Sequence, residues 1–412
     1  MGVDLVTTSK QDYQDSFWLQ QAYGKINWKS LQMSVGINEN YRSVIADPFL
    51  SLGDMATSNN ARPNPEVRIS IPEFTPIPLT GKNIYIKGDF GFGYFLDDSY
   101  YEKIAETHNQ NYTTGVLSHS KSIYLRFGNI ERHEKGVQFI VGADHSVQWG
   151  GTYHSITGES FKMASDFDAL TKTLTFSKNS NNHTTQAGTI RTLTENSHFI
   201  ALNAKADYGT DYGENIYSIY YQHPIDNKEG LEFKNSTDML VGVQYKSQYK
   251  KLLSGFLFEF FHTKNQNATI GEDGRLESGL NNYYNSFTYL QGRSYYGMSL
   301  GTALFLSPRY NTDGYLGFIS NRIFALHGAL EGYLTNEIKY SMLGTFGESR
   351  GTYVKPFLFR KRGLAGVLNV TYMFEKIPGF SITASGAFNT GYFFETETYG
   401  GSISIKKTGK IF

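Results

Sequence analysis

Along much of this chain apolar and polar side chains alternate one by one. In 252–263, Leu252, Phe256, Phe258 and Phe260 share one parity, and Gly255, Glu259 and Thr263 share the other. In 368–375, Leu368, Val370, Tyr372 and Phe374 alternate with Asn369, Thr371 and Glu375; in 380–389, Ser381, Thr383 and Ser385 hold the polar parity. Successive strand side chains point to opposite faces, so each stretch presents one oily and one wet surface. A soluble sandwich would read the same way, its oily face packed in a core. Three features select a membrane instead. The stretches are near the roughly nine to eleven residues with which a tilted strand crosses a bilayer, the wet faces carry whole charges, and 30 Tyr and 30 Phe can furnish interfacial girdles. The predicted fold is all-β: one transmembrane antiparallel β-barrel spanning residues 1–412.

Connector length orients such a barrel, because periplasmic turns are short and external loops long. Short connectors fall near 28–30, 74–82, 130–136, 208–213, 247–251, 334–335 and 375–379, and long ones at 41–65, 95–120, 148–197, 225–237, 264–293 and 347–363. Counting from both ends agrees when one weakly marked strand lies within 281–320, which gives about eighteen strands, with sixteen as the alternative. The least marked strands are 3–9 and 66–72.

The wet parity is rich in ions: Lys87 and Asp89, Arg126, Asp144, Lys205 and Asp207, Glu259, Glu337 and Lys339. Ions facing lipid would be very costly, so these face the lumen. The spacing predicts a charge network through Lys87, Asp89, Arg126, Asp144, Glu259 and Lys339 that fills and stiffens the lumen, in preference to a conducting lining. The segment 148–197 exceeds an ordinary loop and carries a short helical pattern over 159–170, so it is the expected plug or lid of a partly plugged barrel.

Composition adds exclusions. The 38 basic and 38 acidic residues cancel, so no bulk attraction to nucleic acid follows. Without cysteine there is no disulfide framework and no thiolate metal site. No run of eighteen apolar residues exists to form a helical span. Met1, Gly2, Val3 and Asp4 lack the basic flank and apolar core of a signal peptide, so the numbering reads as that of a mature or trimmed chain.

Asp144, His145 and Ser146 spell a triad in letters, but adjacent strand residues alternate faces, which turns His145 away from the other two. The ten His show no metal-ligand spacing, the acidic 271–274 run reads as a turn, and the glycosylation-like triplets at Asn111, Asn235 and Asn267 carry no weight in a bacterial protein. A better signal is the polar and aromatic loading of external segments. Trp149, Tyr153 and His154 follow one strand end; Asn281, Asn282, Tyr283, Tyr284, Asn285 and Tyr289 cluster near another. Aromatic rings stack on the CH faces of sugars while Asn, Gln and His bond hydroxyls. The residues read as polysaccharide-binding are Trp149, Tyr153, His154, Tyr283 and Tyr284.

Several stretches resemble the Wzi family of capsule-assembly outer-membrane proteins: 121–128 (KSIYLRFG), 142–151 (GADHSVQWGG), 218–230 (SIYYQHPIDNKEG), 259–263 (EFFHT), 282–301 (NYYNSFTYLQGRSYYGMSLG) and 321–323 (NRI). They occur in family order across most of the chain. The resemblance implies a plugged eighteen-stranded barrel in the outer membrane of a Gram-negative bacterium. It further implies lectin-like, non-enzymatic binding of capsular or other surface polysaccharide, with no cofactor. Two departures stand out: no counterpart of the helical bundle that some members carry before the barrel, and a last strand, 398–406, leading to a terminal Phe412 but with Lys406, Thr408 and Lys410 before it in place of the usual apolar series of an insertion signal. The partners implied are surface polysaccharide, outer-membrane lipid and other proteins of an outer-membrane assembly. The alternatives are a channel for sugars or small solutes, a structural subunit of a larger complex, and an outer-membrane phospholipase.

Overall fold

The computed structural model describes residues 1–7, 17–39, 44–45, 47–267, 269–270, 276–278 and 281–408. Sixteen strands form one antiparallel sheet in chain order. They are β1 (Gly2–Thr7), β2 (Phe17–Trp28), β3 (Leu31–Ile37), β4 (Pro65–Pro76), β5 (Ile84–Tyr94), β6 (Leu117–Phe127), β7 (Lys135–Trp149) and β8 (Asn196–Thr210), then β9 (Asn215–Ile225), β10 (Met239–Ser247), β11 (Gly255–His262), β12 (Ile323–Tyr333), β13 (Ile338–Gly351), β14 (Pro356–Met373), β15 (Phe380–Gly391) and β16 (Thr398–Lys407). Among the described residues β16 does not pair with β1. No helix among the described residues is long and apolar enough to cross a membrane.

The alternation read from the sequence sorts the two faces. Val67 and Ile69, Ile123 and Phe127, Val137, Phe139 and Val141, Phe256 and Phe258, and Leu364 and Leu368 stand exposed on the outer wall. Their inward neighbours, among them Arg68, Gln138, Asp144, Asn203 and Glu259, are buried. A continuous apolar exterior over a polar interior is the inverse of a soluble fold and the requirement of a lipid-embedded one. Asp144 and His145 do part company: Asp144 faces in, bonded by Tyr124, while the outward His145 lies 3.0 Å from His198.

Among the described residues the sheet has sixteen strands, the lower of the two counts read from connector lengths, because 281–320 adds no strand to it. It lies in the lumen, where Tyr283, Tyr289, Tyr295, Phe305 and Phe318 are buried, and holds a two-residue hairpin, Ser294–Tyr295 with Met298–Ser299, and a single 3-10 turn, Pro308–Tyr310. Leu304, Phe305 and Leu306 are consecutive and all buried. Three consecutive apolar residues break the alternation that a wall strand requires. Likewise 347–363 is no long loop: Glu348 pairs Arg362 in register, and only 352–355 connect β13 to β14. The seven short turns stand where the connectors place them. The acidic 271–274 run and Phe412 lie outside the described residues.

A second luminal strip, 47–62, is pinned to the wall. Lys246 Nζ bonds Asp47 (2.7 Å), and His327 Nε2 lies 2.6 Å from the Leu50 carbonyl. Glu259 accepts from Ser51 Oγ (2.6 Å) and the Leu52 amide (2.8 Å), and Gln222 accepts from the Met55 amide (2.7 Å). The two strips meet in one apolar cluster of Met55, Tyr283, Tyr284, Leu304, Phe305 and Phe318 against Phe199, Leu240 and Phe261 of the wall.

The segment 150–195 packs over these strips. A three-stranded sheet joins Tyr112–Thr114, Thr152–His154 and Ser160–Lys162, and a hairpin joins Ser180–Thr184 to Ile190–Thr194. The helical pattern at 159–170 begins too early, since 160–162 is a strand. The helix α2 runs Phe167–Leu174, started by Asp166, whose carboxylate accepts the Ala169 amide at 2.9 Å. It covers the outer wall at Val147 and Trp149. A further helix, α1 (Asp98–His108), lies in the β5–β6 connection and packs on Leu316 of the luminal segment.

Candidate functional site

The lumen wall holds its charges in small closed groups. Arg68 bridges Glu66 (2.6 Å) and Asp89, which Ser122 also bonds. Asp144 accepts from Tyr124 and from Asn203 Nδ2 (2.7 Å). Glu259 accepts from Tyr220 Oη at 2.6 Å besides its bonds to 51–52. Arg126 instead lies on the rings of Tyr85 (4.1 Å) and Phe74 (4.8 Å), Lys339 pairs Glu331 (2.6 Å) near the short-turn end, and Lys87 sits opposite Tyr124 in register. The six named residues thus belong to separate clusters along the wall, and one of them, Glu259, grips a luminal strip.

At the long-loop end lies a cavity of about 550 Å³. Its walls come from the end of the 150–195 cap (Lys178, Thr192, Thr194), the start of β8 (Asn196, His198), the β9–β10 loop (Asp226, Asn227), the β13–β14 turn (Val354, Lys355) and the luminal segment. The luminal contribution follows from local chemistry. The Arg293 amide bonds the Tyr284 carbonyl at 2.7 Å, closing 284–293 into a ring. Gly292 permits this with φ +61°, since a Cβ there would stand 2.3 Å from that carbonyl. Asn285 braces the ring against Phe318, giving Nδ2 to its carbonyl (2.9 Å) and taking its amide (2.8 Å). Asn282 accepts from Asn285 (2.9 Å) and from Asn321 Nδ2 (2.6 Å).

Two lining groups keep unused hydrogen-bonding capacity while buried. Asn281 accepts from Asn227 through Oδ1, but its Nδ2 has no partner. Arg293, 1 % exposed, donates to the carbonyls of Ser146 (3.2 Å) and Ala56 (2.8 Å) and lies 5.0 Å from the Phe199 ring, yet Nε bonds nothing. No described carboxylate pairs with it, and burial draws its pKa down to about 10, so it remains a cation. At the mouth Phe287 is 84 % exposed, and Lys355 Nζ stands 4.0 Å over the Tyr315 ring. The site therefore offers amide and hydroxyl groups, an exposed ring and an unpaired buried cation. It suits a polyhydroxylated ligand carrying negative charge.

Of the residues singled out by sequence, Tyr284 lines this cavity, with its hydroxyl turned to the Met55 carbonyl. Tyr283 lies behind it, fully buried, its hydroxyl donating to Asp238 (2.8 Å) and accepting from Asn235 (2.6 Å). Trp149 is under α2 on the outer wall. Tyr153 packs with Phe161 and Leu193 and accepts from Arg191 (3.0 Å). His154 stacks on Tyr112 at 4.6 Å and is bonded to Thr114 and Ser160; burial lowers its pKa. These five are not brought together. In the Asn-Tyr-rich cluster it is the amides of Asn281, Asn282 and Asn285 that face the cavity, whereas Arg293, Phe287, Tyr315 and Lys355 carried no recognisable signal.

No family model and no curated relative matches the chain. Among solved structures it is similar to Wzi, an outer membrane protein involved in group 1 capsule assembly in Escherichia coli and a carbohydrate-binding β-barrel. The TM-score is 0.58 at 11 % identity, over 95 % of this chain and 70 % of that one. Outer-membrane-expressed OmpT of Vibrio cholerae aligns over 95 % of this chain and 82 % of that one, with a TM-score of 0.35 and 7 % identity. The fold is Wzi-like. Together with the apolar outer wall, it makes the chain a β-barrel of the Gram-negative outer membrane.

Proposed function

We propose that this protein holds surface polysaccharide at the extracellular mouth of the barrel and performs no bond chemistry. The observation that carries this reading is the 550 Å³ cavity, lined by two buried groups with a free donor each, Asn281 Nδ2 and Arg293 Nε. Leaving such groups unpaired costs about 1–3 kcal/mol each, a cost that ligand hydroxyls and carboxylates offset. The carbohydrate-binding description of the structurally similar Wzi supports the reading. One sugar or two fill a cavity of this size, so a long polymer would be held by repetition and avidity. The test is deletion of the gene, followed by measurement of cell-bound and released polysaccharide. Polysaccharide shed into the medium at unchanged total synthesis is the expected result; undiminished cell-bound polymer refutes the proposal.

A further inference from the structure

The outer wall above the apolar belt at β11–β14 is crowded with cations. Alternation places Phe346 and Leu364 outward, and the next outward pair along the same two strands is Glu348 and Arg362. Around the Glu348 carboxylate stand Lys264 Nζ (2.9 Å), Arg362 Nη2 (2.9 Å), Arg350 Nε (3.8 Å) and Arg360 Nη1 (3.9 Å). Arg322 is adjacent, its carbonyl taking the Arg350 amide at 3.1 Å and its guanidinium 3.7 Å from the Tyr353 ring. Four cations thus share one carboxylate, with Arg322 a fifth beside them. The neighbouring Glu397 is engaged by Thr390 Oγ1 and the Gly391 amide, and Glu395 by Lys361.

Repulsion within such a group is tolerable only where anions are abundant. Arg350, Arg360 and Arg362 are 40 %, 56 % and 57 % exposed, so three guanidinium forks remain reachable from outside. Their depth is set by the belt: one strand step above Phe346 and Leu364, at the long-loop end, is the headgroup level of the outer leaflet. Guanidinium groups match phosphate bidentately.

We propose that this patch binds the phosphate groups of a phosphorylated glycolipid in the outer leaflet, seating its acyl chains on the apolar belt below. The proposal does not rest on polysaccharide binding. The test uses the full chain in detergent with purified lipopolysaccharide, comparing wild type, Arg350→Gln/Arg360→Gln and Arg350→Lys/Arg360→Lys. The double Gln variant leaves the two closest partners of Glu348, and heat-modifiable gel mobility checks that every variant is folded. Retention of lipopolysaccharide is expected to fall at least about tenfold in the Gln variant and to be largely kept in the Lys variant. Phosphatase-treated lipopolysaccharide should bind the wild type as weakly as intact lipopolysaccharide binds the Gln variant. Equal retention by wild type and the folded Gln variant, or undiminished binding of the dephosphorylated lipid, overturns the proposal. Displacement by millimolar inorganic phosphate would assign the patch to free phosphate and overturn the lipid assignment.

Discussion

Substituting Glu259 by Ala should release the 47–62 strip from the barrel wall. The carboxylate is fully buried and accepts three bonds, from Ser51 Oγ (2.6 Å), the Leu52 amide (2.8 Å) and Tyr220 Oη (2.6 Å). Each donor left without an acceptor costs about 1–3 kcal/mol, and Ala leaves all three, so local opening should become easier by about 3–9 kcal/mol. Gln retains one acceptor oxygen and should cost about 1–3 kcal/mol. Neighbouring anchors at Asp47, Leu50 and Met55 are untouched, which confines the effect to the middle of the strip. Limited digestion by subtilisin reads this directly, because cleavage of a transiently opened segment follows its opening equilibrium when reclosing is fast. The Ala variant should be cut within 47–62 over about a hundredfold faster than wild type. Planar-bilayer recordings should show conductance where the wild type shows little. Lys339→Gln is the control: it breaks the ion pair with Glu331, away from either strip, and should leave cleavage unchanged. A folded Ala variant cut at the wild-type rate refutes the idea that Glu259 anchors the filler.

Phe287→Ala and Lys355→Gln alter exposed groups at the cavity mouth and should weaken retention of the cell's own polysaccharide several-fold in a pull-down, with unfolding temperature unchanged. Tyr283→Phe removes the hydroxyl between Asp238 and Asn235; it should lower stability by about 1–3 kcal/mol in thermal unfolding and leave polysaccharide retention intact. Asp97, at the start of α1, is buried and accepts the Tyr296 amide (2.9 Å); burial pushes its pKa from 3.8 up to about 7. The folded loop therefore holds this proton where the unfolded chain has lost it, so stability contributed here falls as pH rises from 3.8 to about 7 and is level above. Hydrogen exchange at Tyr296 should quicken over that window, and Asp97→Asn should abolish the dependence.

Alternation made the wall legible because lipid and lumen impose opposite demands on successive residues. Phe256, Phe258 and Glu259 each took the side that parity assigned. The filler obeys no such rule. Most of the Tyr, Leu and Phe of 281–321 are packed among other chain segments, so they follow no period, and the stretch reads as a weak strand. The same reason hid the site. Tyr283 and Tyr284 read as available to sugar if 281–289 is an external loop, whereas packing among other chain segments buries both rings. Arg293, 1 % exposed, is defined by two carbonyls far away in the chain and could not have been singled out locally.

The bonds that close the lumen join distant parts of the chain: Ser51 reaches Glu259 across 208 positions, Leu50 reaches His327 across 277, and Tyr284 reaches Met55 across 229. None can form until most of the wall exists, and loop-closure entropy makes contacts of that span late and slow. During biogenesis the aromatic segment 281–321 thus travels unshielded, with no partner until strands on both sides of it have paired. The lumen filler, inert once the barrel is assembled, is the part of this protein most in need of a periplasmic chaperone.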